Sequence, residues 1–398
     1  MTRPVNEASA AFVLPLAALA MGHVLSNAVR TLPAISADVL MRDLGVTAEG
    51  LAALTGAFHF AFAAAQIPVG VALDRFGVRA VALTLVALVA VGAALAAIAG
   101  GPLGYLVAQI TLGIGCSGMM LCPITLAAKV LTPGRFGLWT GLIQALGNCG
   151  MLLSASPLAY VVEGFGWRMG YWANVGLGVF VLGLVATVLR RTPPEPAPVR
   201  SILADAREVL RMTVSPRLRN VVVLGFCSFA VVIGMRGLWG GPWLMDVKGF
   251  SRIEAGNILL FATLSLVIGP ALSGVLDRRF GHRRLLLVLG HGLAAVFLGL
   301  EVLGAGQPAA WDVVMLFCFG LAISMQPLIF ALTREAISAE HVGRAMAAVN
   351  LSFFLGAAVL QAASGPVGAW GGPGAALAFL AGCVAVCTLL FMRLPGPR

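Results

Sequence analysis

Apolar runs of twenty or more residues recur along the whole of this 398-residue chain. Each is long enough to cross a hydrocarbon core of ~30 Å at ~1.5 Å per residue. Lipid offers no partner to a backbone N–H or C=O, so runs of this length must be helical. Composition agrees: 60% of the residues are apolar, 11% are charged and the mean hydropathy is +0.97. A soluble domain of this size carries about 25% charged residues. The expectation is an all-α integral membrane protein.

The runs predict twelve spans, at 11–40, 48–73, 79–100, 103–131, 136–163, 169–189, 218–245, 252–276, 283–304, 309–337, 342–369 and 374–393. Chain breakers fall between them: Gly101-Pro102 parts spans 3 and 4, Thr132-Pro133-Gly134 parts 4 and 5, and Gly371-Gly372-Pro373 parts 11 and 12. The formal charge of +10 does not mark a nucleic-acid binder, because the basic residues sit in short loops rather than in one patch. With both termini cytoplasmic, 20 of the 26 Lys and Arg residues lie on the cytoplasmic side. Only Arg42, Arg168, Lys248 and Arg252 lie outside, and this bias orients the chain by the positive-inside rule. The run from Phe12 is too long for a signal-peptide core and reads as an uncleaved first span. All seven cysteines fall within predicted spans, which argues against a disulfide framework. Arg far outnumbers Lys and Ala and Gly are abundant, a usage expected of a GC-rich bacterial genome and hence of the inner membrane.

Residues 190–217 form the longest hydrophilic stretch. It opens on Arg190-Arg191-Thr192-Pro193-Pro194-Glu195-Pro196, a stiff extended linker. Ile202, Ala206, Val209 and Leu210 then recur at helical spacing, predicting a short amphipathic helix on the cytoplasmic membrane surface. The chain thus divides into a six-helix bundle over 1–189, a linker over 190–217 and a second six-helix bundle over 218–398. The halves repeat. Arg30 matches Arg236, Gly50 matches Gly256, Gln144 matches Asn350 and Gly150 matches Gly356, all at an offset of 206. Pro123 matches Pro327 and Asp74 matches Asp277 at slightly shorter offsets. Paired six-helix halves related by an axis along the membrane normal are the architecture of secondary transporters, which place the substrate at the interface of the halves.

The loop between spans 2 and 3 reads Gly70-Val71-Ala72-Leu73-Asp74-Arg75-Phe76-Gly77-Val78-Arg79, and its partner in the second half reads Gly274-Val275-Leu276-Asp277-Arg278-Arg279-Phe280-Gly281-His282-Arg283-Arg284. The first resembles the signature loop of the major facilitator superfamily, and the second is a degenerate copy. The resemblance implies the major facilitator fold, twelve helices in two pseudo-symmetric bundles. It also implies a gate. Asp74 with Arg75 would face the N-terminus of span 11, where a negative charge suits the helix dipole. Asp277 with Arg278 would do the same at span 5. Simple anchoring by Arg75 and Arg79 is the plainer alternative. Span 4 of many proton-coupled members of the family carries an Arg where this chain has Gln109, and the antiporter pattern of span 5 is only partly met by Gly147, Gly150 and Pro157. The run Gly113-x-Gly115-x-x-Gly118 lies mid-span with no preceding strand, so it reads as close helix packing and not as a dinucleotide loop.

Two arginines, Arg30 and Arg236, lie within spans 1 and 7 at matching positions. A charged residue at a helix centre costs at least ~2.5–3.5 kcal/mol, and such residues face cavities and mark function. In the sequence no carboxylate lies at their depth: Asp38, Glu301 and Glu335 are all nearer span ends. Two guanidinium groups facing each other at ~10 Å would repel by roughly 1.7 kcal/mol at an effective dielectric of ~20. An anion between them relieves this and accepts forked hydrogen bonds. The pair resembles the arginines of the organophosphate and organic-anion branches of the family. Backbone bonding or snorkelling of each arginine is the alternative.

Around them stand further polar candidates. His23, Asn27, Arg30 and Thr31 form one stripe on span 1, while Arg236, Trp239 and Trp243 share a face of span 7. Thr55, His59 and Gln66 line span 2, and Gln144, Asn148, Gln326 and Asn350 complete the set. His59, and after it His23, is the candidate for proton coupling, because an imidazole titrates near neutral pH; a neutral, bonded core histidine is the equal alternative. Cys116, Met119, Met120 and Cys122 offer soft ligands for Cu(I), although sulfur side chains also fill gaps in apolar packing.

The reading is a monomeric secondary transporter of a small organic anion, coupled to protons or to exchange, with no cofactor, no metal and no nucleic acid. An efflux pump for amphipathic compounds, a transporter-like sensor and, last, a copper importer are the alternatives. An enzyme is disfavoured, since no Walker loop, metal-binding His pair or nucleophile–base pairing stands out.

Overall fold

The computed structural model describes residues 5–46, 48–153, 161–162, 164–189, 202–338 and 341–396. Helix α1 (Val5–Ile35) contains Pro15 and Pro33 and ends before Ser36, after which the short α2 (Ala37–Leu44) closes on Gly45 at φ +65°. The expected single span over 11–40 is therefore two helices, broken at Ser36 just beyond Pro33. Spans 2 and 3 are continuous in α3 (Ala48–Ala97) except at Gly77, whose φ of +76° turns the chain sharply. Span 4 is α4 (Pro102–Cys116) followed by α5 (Leu121–Val130), span 5 begins as α6 (Pro133–Leu153), and span 6 is α7 (Trp167–Val188). Pro157 and the 190–201 linker lie outside the described residues. The amphipathic helix is present as α8 (Ile202–Val214), with Val209 buried.

Span 7 is α9 (Arg219–Gly234) and then departs from α-helical geometry. Met235–Trp239 and Trp243–Val247 are π-helical turns. Such turns carry one extra residue, so the regular face assumed for Arg236, Trp239 and Trp243 does not persist. Spans 8 and 9 are α10 (Arg252–Phe280) and α11 (Arg283–Leu303). Span 10 is α12 (Ala309–Ile323) and α13 (Pro327–Ala336), and α14 (Val342–Arg393) contains spans 11 and 12, bent at Gly372 with φ +75°.

Spans 4 and 10 break in the same place. Each helix stops a few residues before a proline, Pro123 or Pro327, because the ring has no N–H and crowds the carbonyl four residues back. The glycines of span 4 do what their spacing suggested: a Cβ on Gly113 would strike the carbonyl of Phe58, and Cβ atoms on Gly115 and Gly118 would strike Val89 and Leu85 of α3. Without side chains at these positions the two helices approach to backbone contact.

The chain forms two compact units. One comprises Met1–Leu131, Leu146–Val209 and Ala339–Ala347; the other comprises Thr132–Ala145, Leu210–Ser338 and Ala348–Arg398. The division runs through α6 and α14. The repeat is visible inside each unit. A Cβ on Gly150 would strike the Val24 carbonyl of α1, and one on Gly356 would strike the Phe226 carbonyl of α9. Arg79 donates to the carbonyls of Leu189 and Ala186 at 2.7 and 3.1 Å. Arg284 likewise donates to Phe391 and Met392 at 3.2 and 2.8 Å. Each arginine thus caps the C-terminus of the last helix in its half, where orphan carbonyls favour a cation.

Candidate functional site

In the first unit, Arg30 is half-buried on α1, with its guanidinium carbon 5.9 Å from the centre of the Phe58 ring and 5.4 Å from that of Phe62. Both distances are within cation–π range. One turn before it, Asn27 donates to the Gly147 carbonyl of α6 at 2.9 Å, and the next residue, Thr31, donates back to the Asn27 carbonyl at 3.0 Å. His23 is buried against Gly147, where a Cβ would overlap its ring. The polar stripe of span 1 is therefore real, but Asn27 and His23 spend part of their surface docking α1 on α6. His59 is exposed, and its Nδ1 lies 3.3 Å from the Thr55 carbonyl of its own helix. Gln66 instead bonds the Ser117 carbonyl at 3.0 Å, in the break between α4 and α5.

In the second unit, Arg236 occupies the first π-helical turn and donates from Nε to Thr263 Oγ1 on α10 at 2.8 Å. The hydroxyl in turn donates to the Leu259 carbonyl at 2.9 Å, so the guanidinium is held by a relay fixed to the helix backbone. Trp239 donates to Ser364 Oγ on α14 at 2.9 Å, and Trp243 donates to Glu301 on α11 at 2.8 Å. The π turns send the two indole N–H groups to different helices. Asn350 is buried on α14 and Gln326 is half-buried at the head of α13, in the break of span 10. Gln144 is half-buried on the part of α6 that belongs to this unit.

The two signature aspartates are engaged. Asp74 accepts from the backbone N–H of Gly343 at 3.0 Å and of Arg344 at 3.2 Å, and from Arg344 Nε at 3.0 Å. Arg344 also donates to Glu208 of α8 at 3.0 Å. Asp277 is gripped by a fork from Arg283, at 2.8 Å and 2.9 Å, and rests on Gly137 of α6. Arg283 further bonds Glu335 and the Pro133 carbonyl, each at 2.6 Å. Arg75 is half-buried and Arg278 is exposed. The sequence singles out Arg75 and Arg278 as the companions of the aspartates; the structure adds ion pairs from Arg344 to Asp74 and from Arg283 to Asp277. Arg283 is one of an adjacent arginine pair and Arg344 is a single arginine at the start of span 11, and nothing in their spacing sets them apart.

Gln109, in place of the family's arginine, is buried and donates to the Tyr171 hydroxyl at 3.3 Å, beside a Tyr105–Tyr171 hydroxyl pair at 2.8 Å. A neutral amide and two phenols occupy this position. The model for the Major Facilitator Superfamily matches residues 16–361. The chain belongs to that superfamily.

Among its relatives, a Bacillus subtilis protein named a niacin/nicotinamide transporter is 26% identical, over 64% of this chain and 61% of its own length. A tetracenomycin C resistance and export protein of Streptomyces glaucescens is 24% identical, over 87% of this chain and 74% of its own. A Cupriavidus necator protein named a sulfoacetate transporter is 25% identical, over 67% of this chain and 64% of its own. This chain thus spans less than two thirds of two of these three. The solved structure of the proton:xylose symporter XylE superposes with a TM-score of 0.79 over 98% of this chain and 97% of that one, at 14% identity, which shows a shared fold. The chain is a multi-pass member of the superfamily.

Proposed function

We propose that this superfamily member carries a small organic anion across a bacterial inner membrane by alternating access, coupled to protons or to exchange, with both termini cytoplasmic. The observation that carries this reading is the pair of intramembrane guanidinium groups at repeat-related positions, Arg30 and Arg236. Each is braced from its own unit, by two phenyl rings in one case and a hydroxyl relay in the other. Neither of these braces is an acid, and an anion is the natural counter-charge for two guanidinium groups set within spans. Asn27, His59, Gln144, Trp239, Gln326 and Asn350 complete the substrate set, His59 or His23 takes the coupling proton, and Asp74 and Asp277 serve the gate. The sulfoacetate transporter, by its name, handles an anion.

The test is uptake of labelled sulfoacetate, nicotinate and glycerol phosphate into proteoliposomes. At least one anion should be accumulated, with a loss of tenfold or more in each of Arg30→Lys and Arg236→Lys, since a point charge does not replace a planar fork. Intact uptake in both variants would sink the paired-arginine reading. For coupling, the substrate-driven pH change should vanish in His59→Ala. The named export of tetracenomycin C by one relative favours a second reading, efflux of amphipathic compounds. Drug efflux that is indifferent to Arg30→Ala selects it.

A further inference from the structure

The second unit buries two acids and one ammonium at the end of α11 away from the signature loop. Glu301 near the C-terminus of α11 and Asp312 in the first turn of α12 are both fully buried. The Lys248 side chain is 2% exposed. Lys248 Nζ donates to the carbonyls of Gly304 and Gln307 at 2.9 and 2.8 Å and stands 3.2 Å from Asp312 Oδ2. Trp243 Nε1 donates to Glu301 Oε1. Trp243 and Lys248 thus draw the Glu301 and Asp312 carboxyl groups into one cluster as neighbours. Among the described residues, Glu301 Oε2 and Asp312 Oδ1 have no hydrogen-bond donor, and Asp312 Oδ2 has only the Lys248 ion pair.

Charge counting and hydrogen bonding give the same answer. With both acids ionised, one negative charge is left over, shut away from water, where desolvation is costly. The facing oxygens would then be acceptors with nothing to accept. One proton removes both faults: the cluster becomes neutral, and an O–H of one acid donates to the other. The charged and titratable groups facing Glu301 are Asp312 on α12 and Lys248 beyond the second π turn; Trp243 contributes a neutral donor. We propose that Glu301, Asp312 and Lys248 form a proton-binding site, in which the two acids share one proton. It is distinct from Arg30, Arg236 and the histidines, and it does not depend on what the protein carries.

The experiment is infrared spectroscopy of the purified full-length protein at neutral pH, reading the carbonyl stretch of protonated carboxyl groups and its shift in deuterium oxide. The wild type should show the band. Glu301→Gln and Asp312→Asn should each lose it, because the acid that remains is neutralised by Lys248. Lys248→Met should keep it. Absence of the band in the wild type overturns the proposal without any variant. So does a band that survives unchanged in both acid variants, and so does a wild-type band abolished by sodium chloride, which would make the ligand a metal cation.

Discussion

Asp74 and Asp277 stand in matching loops, and each is pressed against a glycine of a helix: Gly343 of α14 for the first, Gly137 of α6 for the second. Their chemistry differs because those helices start at different places. Gly343 is the second residue of α14, so its N–H and that of Arg344 are among the first four donors, which have no partner inside the helix. Asp74 supplies that partner and meets the positive end of the dipole. Gly137 is the fifth residue of α6, so its N–H is already inside the ladder. Asp277 can touch this helix but has no N–H to accept from, and Arg283 fills the gap with a fork. One aspartate reads a helix end directly; the other works through a side chain. The lesson is that one motif, copied, becomes two devices when the facing helix shifts by one turn.

Asp277→Ala offers the sharpest way to break this comparison. It strips a buried guanidinium of its forked partner and should destabilise by about 3 kcal/mol, seen as a lowered melting temperature of the purified protein. Asp74→Asn keeps an acceptor for only one of the two N–H groups and removes the charge, but leaves the helix end open to other acceptors, so a smaller loss of about 1–2 kcal/mol is expected. Equal losses, or a reversed order, would mean that the helix-end bond and not the fork is the stronger lock. Glu208→Gln cuts the outlying contact to Arg344 and should cost only ~0.5 kcal/mol, shrinking further in high salt. A large, salt-insensitive loss there would make α8 part of the lock.

The opposite ends of the two units repeat the contrast in another form. Each has an indole N–H on a carboxylate: Trp167 to Asp43 at 3.0 Å in the first, Trp243 to Glu301 at 2.8 Å in the second. Asp43 is at the surface, held below its ordinary range by the Trp167 hydrogen bond first, then by Arg42 and Arg168. Its stabilising contribution is present above the unfolded value of about 3.9 and is lost as pH falls through the lower folded value. The smallest expected effect follows. The melting difference between wild type and Asp43→Asn should be steady at neutral pH and should close only on acidification below about pH 4. A difference that grows in acid would reverse the sign and remove this contact from the account.

Much of the fold was legible before any coordinates. Lipid forbids unsatisfied backbone, so length and apolarity alone require helices, and the repeated residues already paired Pro123 with Pro327 and Gly150 with Gly356. Arg30 and Arg236 stood out because a charge in a span is expensive. What tertiary structure decided was direction and partner. The sequence does not show that Pro33 and Ser36 end α1 early, or that π turns rotate Trp239 and Trp243 away from one another. Arg283 and Arg344 could not be told from other loop arginines, since an ion pair depends on which helix end comes near, a long-range fact. Lys248 lies far from Glu301 and Asp312 in the chain, and the three read singly as span-end charges. Only packing brought two acids and one ammonium into a dry place, where their count, rather than their spacing, calls for a proton.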